Sequence, residues 1–599
     1  MNRGYIFFTF ILLLSPIIIL PVDIASKQNA IFQEYLSYDA TTYMVEMRDG
    51  VCLATDVYFP SFYDEEKSYP VILTRTPYGK DAFSNLNPSG IIYIVQDVRG
   101  RYASEGIDTV FMNDSTDGFD TIEWILKQSW CNGKIVTEGG SALGINQYLL
   151  TLSEPPALKA QCIIIGTPDP FSQALFWGGA FRYSLIVQWL TAIGSTHFLP
   201  TIYTHESYSD FWENYSLTGK YDRVHAPAIH LGGWFDCFQQ GTLDGFQGYQ
   251  YNSSLEAQGK SFLIIGPWCH GTWNTKEQGE VIFPANSLQF TYNTLYNDFI
   301  SKYLFNESIS LAAHPTVNYY CMGPSIEGKY GNFWRTSDVW PIPVNYTNWY
   351  FHENGLLSPN IPITSELADS YFYDPNNPVP TIGGGNLAIP SGPYDQSALE
   401  NRDDVLTYTS EEFTHYLEIT GQLKAKLWIS SDRLDTDFTV KITDVYPDGT
   451  SMLIQDGIVR AKYRNSTSSP ELLVPNEIVP VEINLWSTSY IFNEGHRIRI
   501  AISSSNYPRF NANPNNGAPL FSNNETLIAN NTIYHDNLHP SHIILPINQA
   551  GPVVQQTDET TEKSGISIVQ SISIALLSIS LITLVTMVTD CNRKEKKNR

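Results

Sequence analysis

The chain has 599 residues, 43% of them hydrophobic, which is enough to build two or three domains with their own cores. Its formal net charge of −25 argues against a nucleic-acid partner, because an acidic surface is repelled by phosphates. Seven cysteines over this length do not make a disulfide scaffold, so the fold must rest on its apolar cores.

The two ends of the chain carry long apolar runs. Residues 1–25 contain one arginine followed by an uncharged apolar stretch, which predicts a secretory signal sequence, either cleaved or kept as an anchor. Residues 565–589 carry no charge and are too long for an ordinary core helix, which predicts a single transmembrane helix. The basic residues of 590–599 predict a cytoplasmic tail. We therefore expect a single-pass membrane protein whose body lies outside the cell or in a lumen.

Eight N-x-S/T sequons between these runs indicate a glycoprotein. They begin at Asn113, Asn214, Asn252, Asn306, Asn345, Asn465, Asn524 and Asn530. The Pro-, Gln- and Thr-rich residues 549–564 predict a stalk that leads to the membrane helix.

Residues 38–167 alternate strand-like and helical patterns, which is typical of a parallel α/β sheet. Short apolar runs at 71–73 and 91–95 predict buried strands, and residues 117–128 predict an amphipathic helix. Residues 168–225 are rich in aromatic side chains and interrupt the alternation, so they predict a helical cap inserted into the sheet domain.

Strand-like runs return at 228–231 and 262–265, which extends the α/β region over 226–344. After residue 345 the hydrophobic pattern changes to period two, separated by turn residues, and predicts an antiparallel β-sandwich over 345–548. Its clearest strand patterns are at 423–429, 437–445, 481–485 and 497–502.

A nucleophile elbow is predicted around Ser141. Residues 136–144 read V-T-E-G-G-S-A-L-G, so a β-branched run meets a glycine turn with a serine at its apex, ahead of a helical stretch. Such glycines permit the strained strand-to-helix turn that exposes a catalytic serine above a sheet. The alternative is an ordinary glycine turn whose serine caps the next helix.

The two partners that a nucleophilic serine needs follow later strands. Asp236 comes after the strand at 228–231 and His270 after the strand at 262–265, so serine, acid and base occur in the order of an α/β-hydrolase. Taken alone, the aspartate also fits a helix cap and the histidine a buried structural residue. Their order, their loop positions and the elbow together favour a catalytic triad that includes Ser141.

Ordered motifs run through both regions of the chain. They are M-R-D-G-V-C-L-A-T-D at 47–56, R-T-P-Y-G-K at 75–80, Q-D-V-R-G-R-Y-A-S-E-G at 96–106, D-G-F-D-T at 117–121, W-C-N-G at 130–133, D-T-D-F at 435–438, D-V-Y-P-D-G at 444–449 and G-H-R-I-R at 495–499. Through them the chain resembles the cocaine esterase and X-prolyl dipeptidyl aminopeptidase family of serine hydrolases, which includes α-amino acid ester hydrolases. The resemblance implies an α/β-hydrolase core with a helical cap insertion, followed by a C-terminal all-β jelly-roll domain.

The resemblance also implies a role for five positions. Ser141 would be the nucleophile, His270 the general base and Asp236 the acid that orients it. The Tyr78 hydroxyl and the backbone N–H of Ala142 would form the oxyanion hole, where each donor is worth roughly 3–4 kcal/mol. From the residues alone, Tyr78 fits a core aromatic equally well. No motif indicates a metal ion or an organic cofactor.

Two positions around the elbow depart from the family pattern. Ala142 stands where relatives commonly carry tyrosine, which keeps the oxyanion amide but removes an aromatic wall from the acyl pocket. Glu138 puts a carboxyl group in the strand that enters the elbow. That carboxyl group either perturbs the site or pairs locally.

A third departure is a pair of cysteines, since Cys237 follows the acid and Cys269 precedes the base. A hydrogen bond between Asp236 and His270 would hold the two loops together. The cysteines would then approach the roughly 4.4–6.8 Å Cα separation of a disulfide. We therefore predict a Cys237–Cys269 bridge formed in an oxidising compartment. The alternative is two buried thiols that point apart.

The predicted activity is acyl transfer by a serine hydrolase acting on a small ester or amide or on a short peptide. An acyl esterase is favoured over an X-prolyl dipeptidyl aminopeptidase, which needs carboxylates to bind a free α-amine. Asp169, Asp210 and Glu213 are the candidates for that task in the insertion. A further alternative is a non-catalytic surface binding or adhesion protein on a hydrolase scaffold, against which stands the retention of a whole triad.

Overall fold

The computed structural model describes residues 40–83, 86 and 89–548. Within these residues no helix has the length and apolar character needed to cross a membrane. The prediction of a single-pass membrane protein is therefore wrong for the part of the chain that the structure describes. The predicted signal sequence, stalk, transmembrane helix and basic tail fall on residues outside that part.

Eight α-helices occur within the described residues. They are α1 (Asp114–Leu126), α2 (Ala142–Thr151), α3 (Tyr183–Ala192), α4 (Leu199–Thr204), α5 (Asp210–Glu213), α6 (Gln239–Tyr251), α7 (Tyr292–Phe305) and α8 (Ser397–Glu400). The predicted amphipathic helix at 117–128 corresponds to α1, which starts three residues earlier and ends at Leu126.

The strands of the N-terminal part are β1 (Thr41–Glu46), β2 (Cys52–Tyr58), β3 (Tyr69–Thr76), β4 (Ile92–Asp97), β5 (Cys131–Gly140), β6 (Leu158–Ile164), β7 (Phe176–Trp177), β8 (Ala180–Phe181), β9 (Ala228–Phe235), β10 (Phe262–Cys269), β11 (Glu277–Gln278), β12 (Val281–Ile282), β13 (Val317–Cys321) and β14 (Phe333–Ser337). Ten of them form one sheet in the order β1-β2-β4-β3-β5-β6-β9-β10-β13-β14. The pairs from β4 through β13 are parallel, and β1, β2 and β14 join antiparallel.

The central strands of this sheet are covered on both faces, as their nearly continuous apolar sequences require. Along β3, Ile72 packs into one apolar cluster, whereas Val71 and Leu73 pack into another, because successive side chains point to opposite faces. Ile122 and Ile125 of α1 belong to the second cluster. The carboxyl ends of the parallel strands therefore open together at one edge, which is where the loops after β5, β9 and β10 meet.

The chain leaves the sheet between β6 and β9. It forms a π-helical turn at Phe171–Leu175, the hairpin β7–β8 and helices α3 to α5. The hairpin is an element that the prediction of a helical insertion lacked. Its Trp177 stacks on Trp486 of the C-terminal domain, with 3.7 Å between ring centroids, so the insertion packs against that domain.

The strands of the C-terminal part are β15 (Asn345–His352), β16 (Leu356–Ser358), β17 (Asp369–Tyr373), β18 (Leu406–Ser410), β19 (Leu417–Ser431), β20 (Asp437–Val445), β21 (Ser451–Arg460), β22 (Val479–Phe492), β23 (Arg497–Ser503), β24 (Ala529–Tyr534) and β25 (His542–Ile547). They form an 11-stranded sheet in the order β17-β24-β19-β25-β15-β16-β18-β23-β20-β21, with β22 paired to β19. Its strand pairs are antiparallel except for β16 with β18.

The four strand patterns predicted for this region lie within β19, β20, β22 and β23. The period-two pattern predicted these strands because alternate side chains are buried in a common apolar cluster that includes Ile429, Ile442 and Ile500. The predicted all-β C-terminal domain is confirmed, and its finer description as a jelly roll stays a prediction.

Candidate active site

The turn at Ser141 has the backbone geometry of a nucleophile elbow. β5 ends at Gly140 and α2 begins at Ala142, so Ser141 alone makes the turn, with φ 62° and ψ −123°. Glycine is required two residues before it, since Gly139 has φ +150° and a Cβ there would lie 2.5 Å from the Cβ of Leu143. The positive φ of Ser141 is a strained conformation for a residue other than glycine, and Ser141 lines the cavity above the turn.

The structure brings Ser141, Asp236 and His270 together in a buried hydrogen-bond chain. Nε2 of His270 lies 2.9 Å from Oγ of Ser141, and Nδ1 of the same ring lies 2.6 Å from Oδ2 of Asp236. The other carboxylate oxygen of Asp236 accepts a bond from the Phe238 amide at 2.6 Å. This fixed carboxylate orients the ring so that Nε2 faces the serine.

The charge environment of His270 favours its protonated form. Burial lowers the pKa of the imidazole, but the sulfur of Cys237 and the carboxylate of Asp236 outweigh that effect and raise the pKa well above its ordinary value. The ring is therefore a strong proton acceptor toward Ser141 whenever it is neutral.

The hydroxyl of Tyr78 is a further polar group in contact with Ser141. It is hydrogen-bonded with Ser141, and burial raises the pKa of Tyr78 to about 12, so the hydroxyl keeps its proton. Nε1 of Trp189 lies 3.1 Å from the Tyr78 oxygen. An indole N–H only donates, so the Tyr78 oxygen accepts from it and its own proton remains directed at the serine side.

The backbone N–H of Ala142 is the second predicted oxyanion donor. It is the first residue of α2, so its backbone N–H belongs to the helix end where amides have no intrahelical acceptor. The positive end of the helix dipole lies at the same place, which favours a developing oxyanion beside Ser141.

A small cavity opens above Ser141, and its wall is almost entirely apolar. The lining residues are Val110, Phe111, Met112, Ser141, Ala142, Ile145, Pro170, Ala174, Leu175, Leu185, Ile186, Trp189, Leu190, Phe198, Ile202, Trp212, Tyr215, Phe238 and Leu387. Most of them come from the insertion between β6 and β9, and Leu387 comes from the C-terminal domain. The cavity therefore suits an apolar group bonded to the carbonyl that the serine attacks.

The three carboxylates considered for binding an α-amine are not part of this wall. Asp169 is half-buried, and its Oδ1 accepts a bond from the Ser172 amide at 3.2 Å. Asp210 and Glu213 are exposed on α5. The insertion thus contributes aromatic and aliphatic surface to the cavity but no acidic side chain among its lining residues.

Glu138 pairs locally, which was one of the two predicted alternatives. The Tyr296 hydroxyl donates to its Oε2 at 2.5 Å, and the Tyr93 hydroxyl donates to its Oε1. Burial raises the pKa of the Glu138 carboxyl. Because Tyr296 lies on α7 and Tyr93 on β4, the bonds hold the nucleophile strand against two neighbouring elements.

The predicted Cys237–Cys269 disulfide is wrong, because both residues are free thiols in the structure. Sγ of Cys237 lies 3.5 Å from Nδ1 of His270. The Cys269 thiol is instead hydrogen-bonded with Ser391, and burial raises its pKa to about 12. Neighbouring loops brought the two cysteines close, but each side chain took a different partner.

Trp189 and Phe111 are site residues whose roles the sequence did not reveal. Their rings stack at 5.6 Å between centroids with 7° between planes, and both line the cavity. The aromatic content of the insertion was a signal for an apolar pocket, but nothing local indicated which indole would bond Tyr78.

The comparisons with known proteins agree with this site. The family model described as X-Pro dipeptidyl-peptidase (S15 family) matches residues 49–198 and 191–272. The model of the X-Pro dipeptidyl-peptidase C-terminal non-catalytic domain matches residues 311–544. Cocaine esterase of Rhodococcus sp. (strain MB1 Bresler) is 32% identical over 581 residues, which cover 85% of this chain and 98% of that protein.

Two solved structures are similar over most of the chain. An aminopeptidase from the marine sediment archaeon Thaumarchaeota archaeon has a TM-score of 0.74 at 25% identity, covering 86% of this chain and 97% of its own. An α-amino acid ester hydrolase has a TM-score of 0.72 at 25% identity, covering 85% and 96%. Both agree with an α/β-hydrolase fold carrying a C-terminal β-domain.

Fold and relatives together define the class: the chain is a serine hydrolase of the α/β-hydrolase type. Within that class it belongs to the X-Pro dipeptidyl-peptidase (S15) family, together with cocaine esterase. The family predicted from the sequence motifs is therefore confirmed.

Proposed function

We propose that the chain hydrolyses esters of apolar acyl groups through Ser141, His270 and Asp236. The observation that carries the proposal is the hydrogen-bond chain from Ser141 through His270 to Asp236, at 2.9 and 2.6 Å, on the floor of an apolar cavity. Ser141 Oγ attacks the carbonyl carbon while its proton passes to Nε2 of His270. The tetrahedral intermediate then collapses to an acyl-enzyme, and the leaving alcohol takes the proton from His270.

The negative charge that develops on the carbonyl oxygen is stabilised by two fixed donors. The Tyr78 hydroxyl is hydrogen-bonded with Ser141 and the Ala142 N–H follows the serine at the start of α2, so both donors are held by the fold before the reaction. A water molecule, deprotonated by His270, attacks the acyl-enzyme in the second half of the reaction and releases the acid. The chain's own residues supply each of these proton transfers.

The cavity wall favours an ester with an uncharged acyl group over an X-Pro peptide. A free α-amine bound in a cavity needs a carboxylate partner, because an unpaired buried charge is costly. Neither Asp nor Glu occurs among the residues that line this cavity. Removal of X-Pro dipeptides is the second candidate, supported by the description of the matching family and by the aminopeptidase among the similar structures.

The test uses the full chain and Ser141→Ala, treated with a phosphonate probe for active-site serines. We expect labelling of the wild type and none of the variant. The substrates are phenyl esters of 3-phenylpropanoic acid and of phenylalanine, which differ by the α-amino group, and an X-Pro anilide. We expect the highest kcat/KM for the ester without the amine. Faster turnover of the X-Pro anilide would favour the second candidate, and equal labelling of Ser141→Ala would refute the nucleophile.

A further inference from the structure

Three side chains with metal-binding atoms meet behind the nucleophile. A carboxylate oxygen of Asp236, Sγ of Cys237 and a ring nitrogen of His270 all lie within 4.8 Å of one another, and all three residues are buried. Carboxylate, thiolate and imidazole are the three donor types by which proteins bind zinc. The proposed acyl transfer uses the aspartate and the histidine but leaves Cys237 without a task.

The spacing of these atoms is close to that of a metal site. Sγ of Cys237 lies 3.5 Å from Nδ1 of His270. Bond lengths of roughly 2.3 Å for Zn–S and 2.0–2.1 Å for Zn–N at a tetrahedral angle put the two ligand atoms about 3.6 Å apart. Oδ2 of Asp236 lies 2.6 Å from the same nitrogen. When an ion replaces the proton that the two atoms share, Oδ2 needs to move about 0.8 Å farther from Nδ1.

Charge and backbone support favour a bound divalent cation. A carboxylate and a thiolate neutralise its two positive charges, which suits a buried site. The Cys237 carbonyl accepts a bond from buried Arg182 at 2.9 Å, which fixes the backbone beside the thiol. The Phe238 amide holds Oδ1 of Asp236, so Oδ2 remains for the ion.

We infer that Asp236, Cys237 and His270 form a site for a thiophilic divalent cation such as Zn²⁺ or Cd²⁺, and that its occupancy inhibits the hydrolase. On binding, the thiol proton leaves to solvent and the ring proton moves from Nδ1 to Nε2. Nε2 then no longer accepts the proton of the serine. The inhibition rests on the proposed function, whereas binding does not.

The first measurement is inhibition of the full chain by Zn²⁺, with each variant referred to its own metal-free activity. Cys269→Ala is the matched control, because its thiol is also buried beside the triad but lies outside the donor set. We expect the wild type and Cys269→Ala to lose activity and to regain it with a chelator. Cys237→Ala should need at least about tenfold more Zn²⁺, since even outer-shell changes cost ~10–100-fold in metal affinity. If Cys237→Ala does not fold, Cys237→Ser keeps the volume and still removes the thiolate.

The second measurement is Cd²⁺ binding, followed by the ultraviolet charge-transfer absorbance of a cadmium–thiolate bond. We expect one ion per chain in the wild type, in Cys269→Ala and in Ser141→Ala, and loss of this signal in Cys237→Ala. Equal absorbance in Cys237→Ala would overturn the site, and absorbance without inhibition of an active wild type would overturn its effect. An inactive wild type with Cys237-dependent absorbance would refute the proposed function while supporting the metal site.

Discussion

Each domain buries a histidine–aspartate pair, and the two pairs have similar local geometry. His270 bonds Asp236 at 2.6 Å in the sheet domain, and His496 bonds Asp444 at 2.9 Å in the β-domain, in both cases through Nδ1. Both rings are almost completely buried. They differ at Nε2, which reaches Ser141 in the first pair and has no hydrogen-bond partner among the described residues in the second.

The surroundings explain this difference. The first pair lies at the carboxyl ends of parallel strands, where loops from several strands converge below a cavity. The second pair joins Asp444 of β20 to His496, which lies between β22 and β23. There Tyr446 packs on the imidazole at 4.9 Å and Tyr490 donates to Asp444 at 2.9 Å. A buried Asp–His pair is therefore not by itself a sign of catalysis, and the His270 pair is set apart by its contact with a serine on a strained turn beside a cavity.

The largest expected difference comes from the same substitution at both histidines. His270→Gln should lower kcat/KM for an apolar ester by about 10⁴–10⁶-fold, because the serine loses its base. His496→Gln should leave kcat/KM within a factor of a few and lower the free energy of unfolding by about 1–3 kcal/mol, because Asp444 loses a buried partner. Steady-state kinetics and denaturant unfolding of both variants measure this, and similar losses of activity in the two would contradict the comparison.

The second expected effect comes from the hydroxyl groups beside each pair. Tyr78→Phe should lower kcat by about 10²–10³-fold, because one of the two oxyanion donors is removed. Tyr490→Phe removes a hydroxyl that donates to Asp444 and is the matched control. We expect its kcat and KM to remain those of the wild type. A small effect of Tyr78→Phe would assign that tyrosine to the core rather than to the reaction.

The pH dependence tests the same base. The pKa of His270 is raised well above its ordinary value of 6.5 by the neighbouring Cys237 and Asp236 despite burial. The reaction needs a neutral imidazole, so kcat/KM should fall as the pH drops through the raised pKa, by about tenfold per pH unit below it. The acid limb should therefore lie above pH 6.5. A limb at or below that value in the kcat/KM profile would contradict the raised pKa.

The backbone positions of the three residues of the proposed triad were predictable because they carry local signals. The glycines before Ser141 mark the strained turn, and Asp236 and His270 each end a short apolar run of a buried parallel strand. The strand patterns after residue 345 were equally local, although the order of the strands in the sheet was not. That order depends on pairings between distant segments, such as β19 with β24 and β25.

Side-chain partners were the part that the sequence did not determine. Cys237 and Cys269 each neighbour a residue of the Asp236–His270 pair in sequence, yet Cys237 contacts the imidazole and Cys269 bonds Ser391, because a rotamer depends on the packing around it. From the sequence, the Glu138 carboxyl could either perturb the site or pair locally. In the structure it pairs locally, with two tyrosines from β4 and α7. Such contacts join residues far apart in the chain, so no local pattern predicts them.

The smallest expected effect concerns Trp189, which touches the oxyanion donor rather than the reacting atoms. Its N–H occupies the acceptor side of the Tyr78 oxygen at 3.1 Å, and this orients the hydroxyl proton toward Ser141. A typical hydrogen bond contributes about 0.5–1.5 kcal/mol, so Trp189→Phe should lower kcat by about 2–12-fold. Phenylalanine keeps an aromatic ring in the cavity wall, and KM for an apolar ester should therefore change little.

The double variant decides whether Trp189 acts through Tyr78. If it does, adding Trp189→Phe to Tyr78→Phe should cause no further loss of kcat, because the hydroxyl that the indole orients is already gone. Multiplicative losses in the double variant would mean that the indole acts on the substrate directly. The same pair of substitutions has no counterpart around His496, where no indole contacts the tyrosine that donates to Asp444 among the ring contacts of the described residues. On the proposed mechanism, the Trp189 indole orients a donor beside the His270 pair, and this contact is what the double variant tests.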